Sequence, residues 1–401
     1  MIKPRISGKV VLYICLFEFF LLSGVELMTS IIGYTRLLIL FPLSCLICNQ
    51  IITKSIIPKI SKGNFLTAIG MIFVLLFSTM VAPTIEFNNM WVSFASCIIG
   101  LCLLSSCLDF YFFRKAVFSI FWPLTIVSII VQLGHDLLGL FPAMPYVAGD
   151  RIVNLSLGLF TTEWGEYRLA SIFWEPGQYQ VVIFYILFMF IDELADFSKI
   201  KRNLWKFGPI FIAILMTQST TGYAVLALLL LAIMVKSKIK PSYFVLYALF
   251  CIGAYFLYNS DAIQKKVEQS QNQQEESSFT IRMADNLACL QATIERPIVG
   301  WGGSNEVLNR RLMGLGNETS SNAWLYATAM FGIPIVLWII FCMFKNIRKT
   351  QPLIPSLVIL LALILSQGGE PRLYCPYLYI YVFSFKYYSD FKLTKRICNQ
   401  R

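Results

Sequence analysis

The residues best suited to chemistry fall in a few short polar stretches of an otherwise apolar chain. Residues 168–179, RLASIFWEPGQY, place a cation, an anion, aromatic rings and a Pro-Gly turn within twelve positions. The guanidinium of Arg168 can hold two phosphate oxygens at once, which an ammonium cannot. Glu175 can orient or deprotonate a hydroxyl, and Phe173, Trp174 and Tyr179 offer flat faces to sugar rings or lipid headgroups. The same residues admit a plainer reading, in which Trp174 and Tyr179 anchor the chain at a membrane surface and Arg168 pairs with Glu166 or Glu175.

A second set runs through ERPIVGWGGSN at 295–305, where Arg296 precedes Pro297 and the glycines Gly300, Gly302 and Gly303. Such a turn lets backbone amides approach an anion closely. No Walker-type lysine or serine follows, so it is not a nucleotide loop. Arg282 stands fourteen positions before Arg296. On an unbroken helix that is about 21 Å along the axis, too far for both to clamp one diphosphate. Either the helix breaks between them or the two arginines meet different ligands. TQSTTGY at 217–223 supplies hydroxyls that cap a helix end or bind a headgroup. QGGEPRLYCP at 367–376 adds Glu370 and Arg372, which pair with each other or face a ligand. Asn322 and Trp324 open a further apolar run.

No cluster of His, Cys, Asp or Glu has ligand spacing, so the expected metal and cofactor complement is none. The single histidine, His135, ends an apolar run, which leaves no His-based metal site or triad. Of the 11 cysteines most lie inside apolar runs, and only Cys289 and Cys375 fall where a disulfide would be redox-permitted.

The elements that must position these groups are membrane helices. A chain of 401 residues, 57% hydrophobic and 14% charged, carries more apolar surface than a soluble core can hide. Runs long enough to cross a hydrocarbon layer of about 30 Å recur from end to end. They predict one all-α polytopic membrane domain over 1–401, with about twelve transmembrane helices near 9–28, 31–48, 65–82, 91–108, 116–133, 178–195, 207–220, 222–237, 242–259, 323–344, 353–368 and 374–389. The first run lacks a clear cleavage site and reads as a retained helix. Two long segments remain, 134–177 and 260–322. Within the second, 268–278 reads as a flexible linker, and the stretch after it as a surface helix with apolar residues Met283, Leu287, Leu290 and Ile294. With both termini inside, 23 of the 33 basic residues fall in inner segments and nine outside. Both long segments then face the periplasm or exterior, and the net charge of +11 reflects topology rather than nucleic acid.

In this order and on this side, the motifs resemble those of Wzy-type O-antigen and capsular polysaccharide polymerases, within the O-antigen polymerase/ligase family. RLASIFWEPGQY is similar to the family's Arg-x-x-Gly-x-Phe-x-Glu-Pro-Gly element, with Ser171 where glycine is usual. TQSTTGY resembles its Ser-Thr-Thr-Gly hairpin, and ERPIVGWG its Arg-x-Pro-x-x-Gly-x-Gly element. SNAWLYATAMFGIP at 321–334 resembles the Asn-containing start of its next helix. The resemblance implies a GT-C-like inner-membrane glycosyltransferase that joins undecaprenyl-diphosphate-linked repeat units into O-antigen, capsule or exopolysaccharide without metal. Membrane lipids and a chain-length regulator are the implied partners. Arg168, Glu175 and Arg296 are the expected catalytic residues; Arg282, Trp174, Tyr179, Gly300, Gly302, Asn322 and Arg372 are expected to bind substrate.

Three rivals are weighed against it. Ligases that transfer the glycan to lipid A-core carry a His just before the Asn of the last motif, where this chain has Ser321. A transporter or flippase would place ionisable groups near mid-membrane in matching halves, whereas charges within the spans here are few and the halves do not match. A membrane acyltransferase would need a histidine that the chain does not supply at the outer motifs.

Overall fold

The computed structural model describes residues 5–25, 33–85, 89–148, 151–162, 168–196, 198, 204–237, 248, 278–302, 305–315, 322–368 and 375–385. Of these, 75% lie in fifteen helices. In chain order they are α1 (Arg5–Leu22), α2 (Tyr34–Thr53), α3 (Lys62–Met80), α4 (Asn89–Cys107), α5 (Phe110–Leu138), α6 (Pro176–Met189), α7 (Ile191–Leu194), α8 (Leu204–Met216), α9 (Thr220–Lys236), α10 (Ser278–Glu295), α11 (Asn305–Met313), α12 (Ala323–Phe331), α13 (Ile333–Thr350), α14 (Leu353–Ser366) and α15 (Pro376–Val382). Three segments, Thr35–Thr53, Lys62–Met80 and Phe110–Leu138, are long and apolar enough to cross a membrane, and several shorter apolar helices pack beside them. The expected span 242–259, the linker 268–277 and Arg372 lie outside the described residues.

Helix α6 is apolar on every side and buried along almost its whole length, with Val181, Ile183, Phe184, Tyr185 and Leu187 at 0% exposure. A helix without a polar face belongs at the centre of a bundle. The outward faces of other helices remain apolar: Ile39, Phe73, Ile130, Leu337 and Phe341 are exposed. In water this would be an aggregation hazard, whereas lipid accepts it.

Charged groups hold one end of the bundle together. The buried Arg114 donates to the last carbonyl of α6, Met189 O, and to Glu193 at 3.0 Å. Glu193 also accepts from Lys206, while Lys236 bonds Asp192 and Gln351. The ends of α5, α6, α8 and α9 and the start of α14 therefore meet there. The opposite end gathers Thr217, Ser219, Asn322 and Gln367, for Ala323 N donates to Gln367 O and Trp324 Nε1 to Ile364 O. The 168–179 and 217–223 motifs meet at this second end.

Two features depart from the expectation. The segment between α5 and α6 is not helical but a three-stranded antiparallel sheet, β1 (Ala143–Ala148), β2 (Arg151–Ser156) and β3 (Phe160–Thr162), so the fold is not all-α. The sequence places Gly149-Asp150 between the β-prone runs of β1 and β2, a dipeptide that signals strand pairing. The expected span 323–344 is likewise two helices, broken at Gly332 with φ +86.

Candidate functional site

The first element is held from two directions. Strand β3 pins it from one side: Thr161 N donates to Ser171 O at 2.8 Å, and Thr161 Oγ1 to Phe173 O at 2.9 Å. The α8–α9 junction pins it from the other: Leu169 N donates to Met216 O at 2.8 Å, and Arg168 Nε to Thr217 O at 3.3 Å. The 168–179 element and the 217–223 hairpin, distant in sequence, thus share backbone hydrogen bonds. Within the hairpin Ser219 caps α9 by accepting from Gly222 N. Gly222 packs so closely on the buried Gln180 that a Cβ there would overlap its carbonyl oxygen.

Ser171 adopts φ +60, the left-handed conformation that glycine enters freely, and its hydroxyl lies 2.6 Å from that of Ser128. The chain turns here, so that Trp174 and Phe173 face inward. Tyr179 is fully buried, stacked on Phe173 with centroids 5.6 Å apart, and its hydroxyl donates to Thr125. In this arrangement Tyr179 and Phe173 present no face to a sugar, and Trp174, 5% exposed, almost none. Glu175 differs: it is half-buried at the N-cap position of α6, its side chain does not cap the helix, and it forms no ion pair with a described residue. The Glu175–Arg168 pairing that the plainer reading allowed is not formed, and Glu166, the other partner it allowed, lies outside the described residues.

The second element serves packing more than the sequence reading assigned to it. Trp301 N and Gly302 N donate to Ala329 O and Met330 O, satisfying carbonyls at the end of α12, while Ile333 N at the start of α13 donates to Pro297 O. Ser78 of α3 donates to Val299 O and Met330 O. A Cβ at Gly300 would overlap Met330 O, and one at Gly332 would overlap Ile298 O. The glycines let residues 297–302 wedge into the α12–α13 break. The amides of residues 300–302 are consequently taken, Gly300 N by Arg296 O, and are not offered to an anion. Asn322 accepts from Trp324 N and Leu325 N, so its side chain caps α12.

Arg296 lies immediately beyond α10, which runs unbroken through Arg282. The helix does not break between them, so the two arginines are about 21 Å apart along its axis, too far to share one diphosphate. Arg282 is exposed. Arg296 donates to Val81 O and Gly300 O and lies over Trp301, without a carboxylate partner among the described residues. On α10 the residues expected to form an apolar face, Met283, Leu287, Leu290 and Ile294, are exposed, and Ala288, Cys289 and Ala292 pack inward instead. Cys289 and Cys375 are buried and form no disulfide with each other. His135 bonds Phe141 O through Nδ1.

Sequence reasoning missed Thr161, Ser128, Trp301, Glu295 and Arg311. The first two act through backbone geometry and tertiary contact, which spacing does not reveal. Glu295 and Arg311, however, form a bidentate pair with one contact at 2.8 Å, and Arg311 holds the Glu295 carboxyl below its ordinary value. No model of a known protein family matches the chain, and no curated protein matches it.

Proposed function

We propose that the protein is a polysaccharide polymerase of the inner membrane, a GT-C-like enzyme of about twelve spans. In this reading it joins polyprenyl-diphosphate-linked oligosaccharide units at its periplasmic or exterior face. One observation carries it: the 168–179 element and the 217–223 hairpin, which resemble two motifs of such polymerases, are hydrogen-bonded together at one end of the bundle. The 168–179 element carries the Arg168 guanidinium, which donates to Thr217 O, and the half-buried Glu175 at the start of α6, a carboxylate with no ion-pair partner among the described residues.

The chemistry asked of such a site suits these groups. A glycosyl donor on diphosphate leaves with growing negative charge, which positioned guanidiniums stabilise where no metal does so. Arg168 supplies one such cation and Arg296 another. The incoming sugar hydroxyl must lose a proton, and an unpaired carboxylate such as Glu175 is free to accept it. Lipid surrounding the exposed apolar faces would deliver substrates sideways to headgroup depth.

The test is reconstitution with a lipid-linked repeat unit in excess chelator. Wild-type protein should form long glycan chains, and Arg168→Lys should make few or none at equal protein level, because the charge remains but the fork is lost. Full-length polymer from Arg168→Lys would remove that arginine from the mechanism. Activity lost in chelator and restored by one metal would overturn the metal-free reading.

A further inference from the structure

The second outer segment brings together two guanidiniums that the sequence keeps fifteen positions apart. The carbon of the Arg296 guanidinium lies 5.4 Å from the Trp301 ring centroid, and that of Arg311, on α11, lies 5.7 Å from the same centroid. They are therefore no more than about 11 Å apart. A diphosphate bridging them with charge-assisted hydrogen bonds of about 2.8 Å at each end spans such a gap, which the 21 Å to Arg282 does not allow.

Each part of the cluster is held. Trp301 is fixed by its indole nitrogen, which donates to Ala292 O at 2.9 Å, and by the wedge that seats residues 297–302. Arg311 is oriented by Glu295, which engages its Nε and one terminal nitrogen, while the other, Nη1, bonds no described residue. Arg296 spends its fork on two carbonyls and meets no carboxylate among the described residues. Glu295 pairs with Arg311 alone, and the net charge of Arg296, Arg311 and Glu295 together is +1. Both members of the Arg311–Glu295 pair remain about 30% exposed, so a ligand can reach them.

We propose that Arg311, not Arg282, is the second cation of the diphosphate site, with Trp301 and Glu295 as positioning residues that set its distance from Arg296. The ligand class rests on the polymerase reading; the pairing of the two arginines rests on geometry alone.

Full-length protein in lipid nanodiscs, titrated with farnesyl diphosphate and with farnesyl monophosphate, separates the possibilities. Arg311→Ala and Arg311→Lys should each weaken diphosphate binding at least tenfold and monophosphate binding less than threefold. Arg282→Ala should leave both unchanged. Glu295→Gln should fall between, with thermal melting near wild type for all four because the pair is exposed. Diphosphate affinity that survives Arg311→Ala but falls in Arg296→Ala overturns the proposal and leaves a one-arginine site. Equal loss for both ligands in Arg311→Ala also overturns it, marking a structural effect. If neither arginine matters to the diphosphate, the polymerase reading loses its anion site as well.

Discussion

Glu175 is the residue at which a functional change separates most cleanly from a structural one. Among the described residues it forms no ion pair; it does not cap α6 and is half-buried, so converting it to glutamine removes the charge and keeps the side chain's size. General-base assistance contributes about 10²- to 10⁴-fold, and Glu175→Gln should lower polymer formation by at least 10²-fold while the melting temperature stays within a few degrees. Retained activity would leave hydroxyl activation to another group. Ser171 makes a complementary case. Its φ of +60 costs an L-residue about 1–2 kcal/mol, and the Ser128 contact returns about 1 kcal/mol. Ser171→Gly should therefore be close to neutral in thermal unfolding, whereas Ser171→Ala, which keeps the strain and drops the hydrogen bond, should lose about 1 kcal/mol. Residue types alone made Arg168, Glu175 and Arg296 legible as polar groups at an outer surface. They did not disclose that Tyr179 points inward, because an aromatic beside a helix start has the same spacing whether it packs on Phe173 or faces lipid.

At the scale of elements, the α12–α13 break shows how glycine placement is set by a neighbour. Gly332 at φ +86 accepts the approach of Ile298 O, and Gly300 at φ +66 that of Met330 O; each would clash with backbone if given a Cβ. Gly139, which caps α5 at φ +62, has nothing nearby. Gly139→Ala should therefore cost only the left-handed penalty of about 1–2 kcal/mol. Gly332→Ala should cost about 3–5 kcal/mol, since overpacking adds to the same penalty. Equal melting temperatures for the two variants would show that the wedge does not hold the break. The sequence contained the break's signals, Gly332 and then Pro334 in the first turn of a helix, but hydropathy over 323–344 is continuous and conceals them. The sheet was hidden for another reason: its strands lie between two apolar helices in a segment whose polarity resembles a loop. Only the Gly-Asp dipeptide at 149–150 in the sequence marks them. That sheet nonetheless positions Ser171 and Phe173, so the least legible element supports the most legible motif.

For the molecule as a whole, the decisive quantity is which end faces the cytoplasm. The expected orientation rests on the distribution of basic residues. The basic residues divide 23 to nine between the two sides, and reversing the protein would translocate seven basic segments at once. The end of the bundle that carries Arg114, Lys206 and Lys236 is the one assigned inside by that count, and the end that carries Arg168, Thr217 and Asn322 is the one assigned outside. Ser237 caps α9 beside Lys236 and so belongs to the inner end. Ser270 lies in the polar run 268–278, assigned to the outer side. A cysteine at Ser270, in a variant whose native cysteines have been replaced and whose activity is retained, should react with a membrane-impermeant maleimide in intact cells or spheroplasts. One at Ser237 should react only after lysis. The opposite pattern would place both arginine-bearing segments in the cytoplasm, away from outer-leaflet lipid-linked glycans, and the polymerase reading would fall with the orientation.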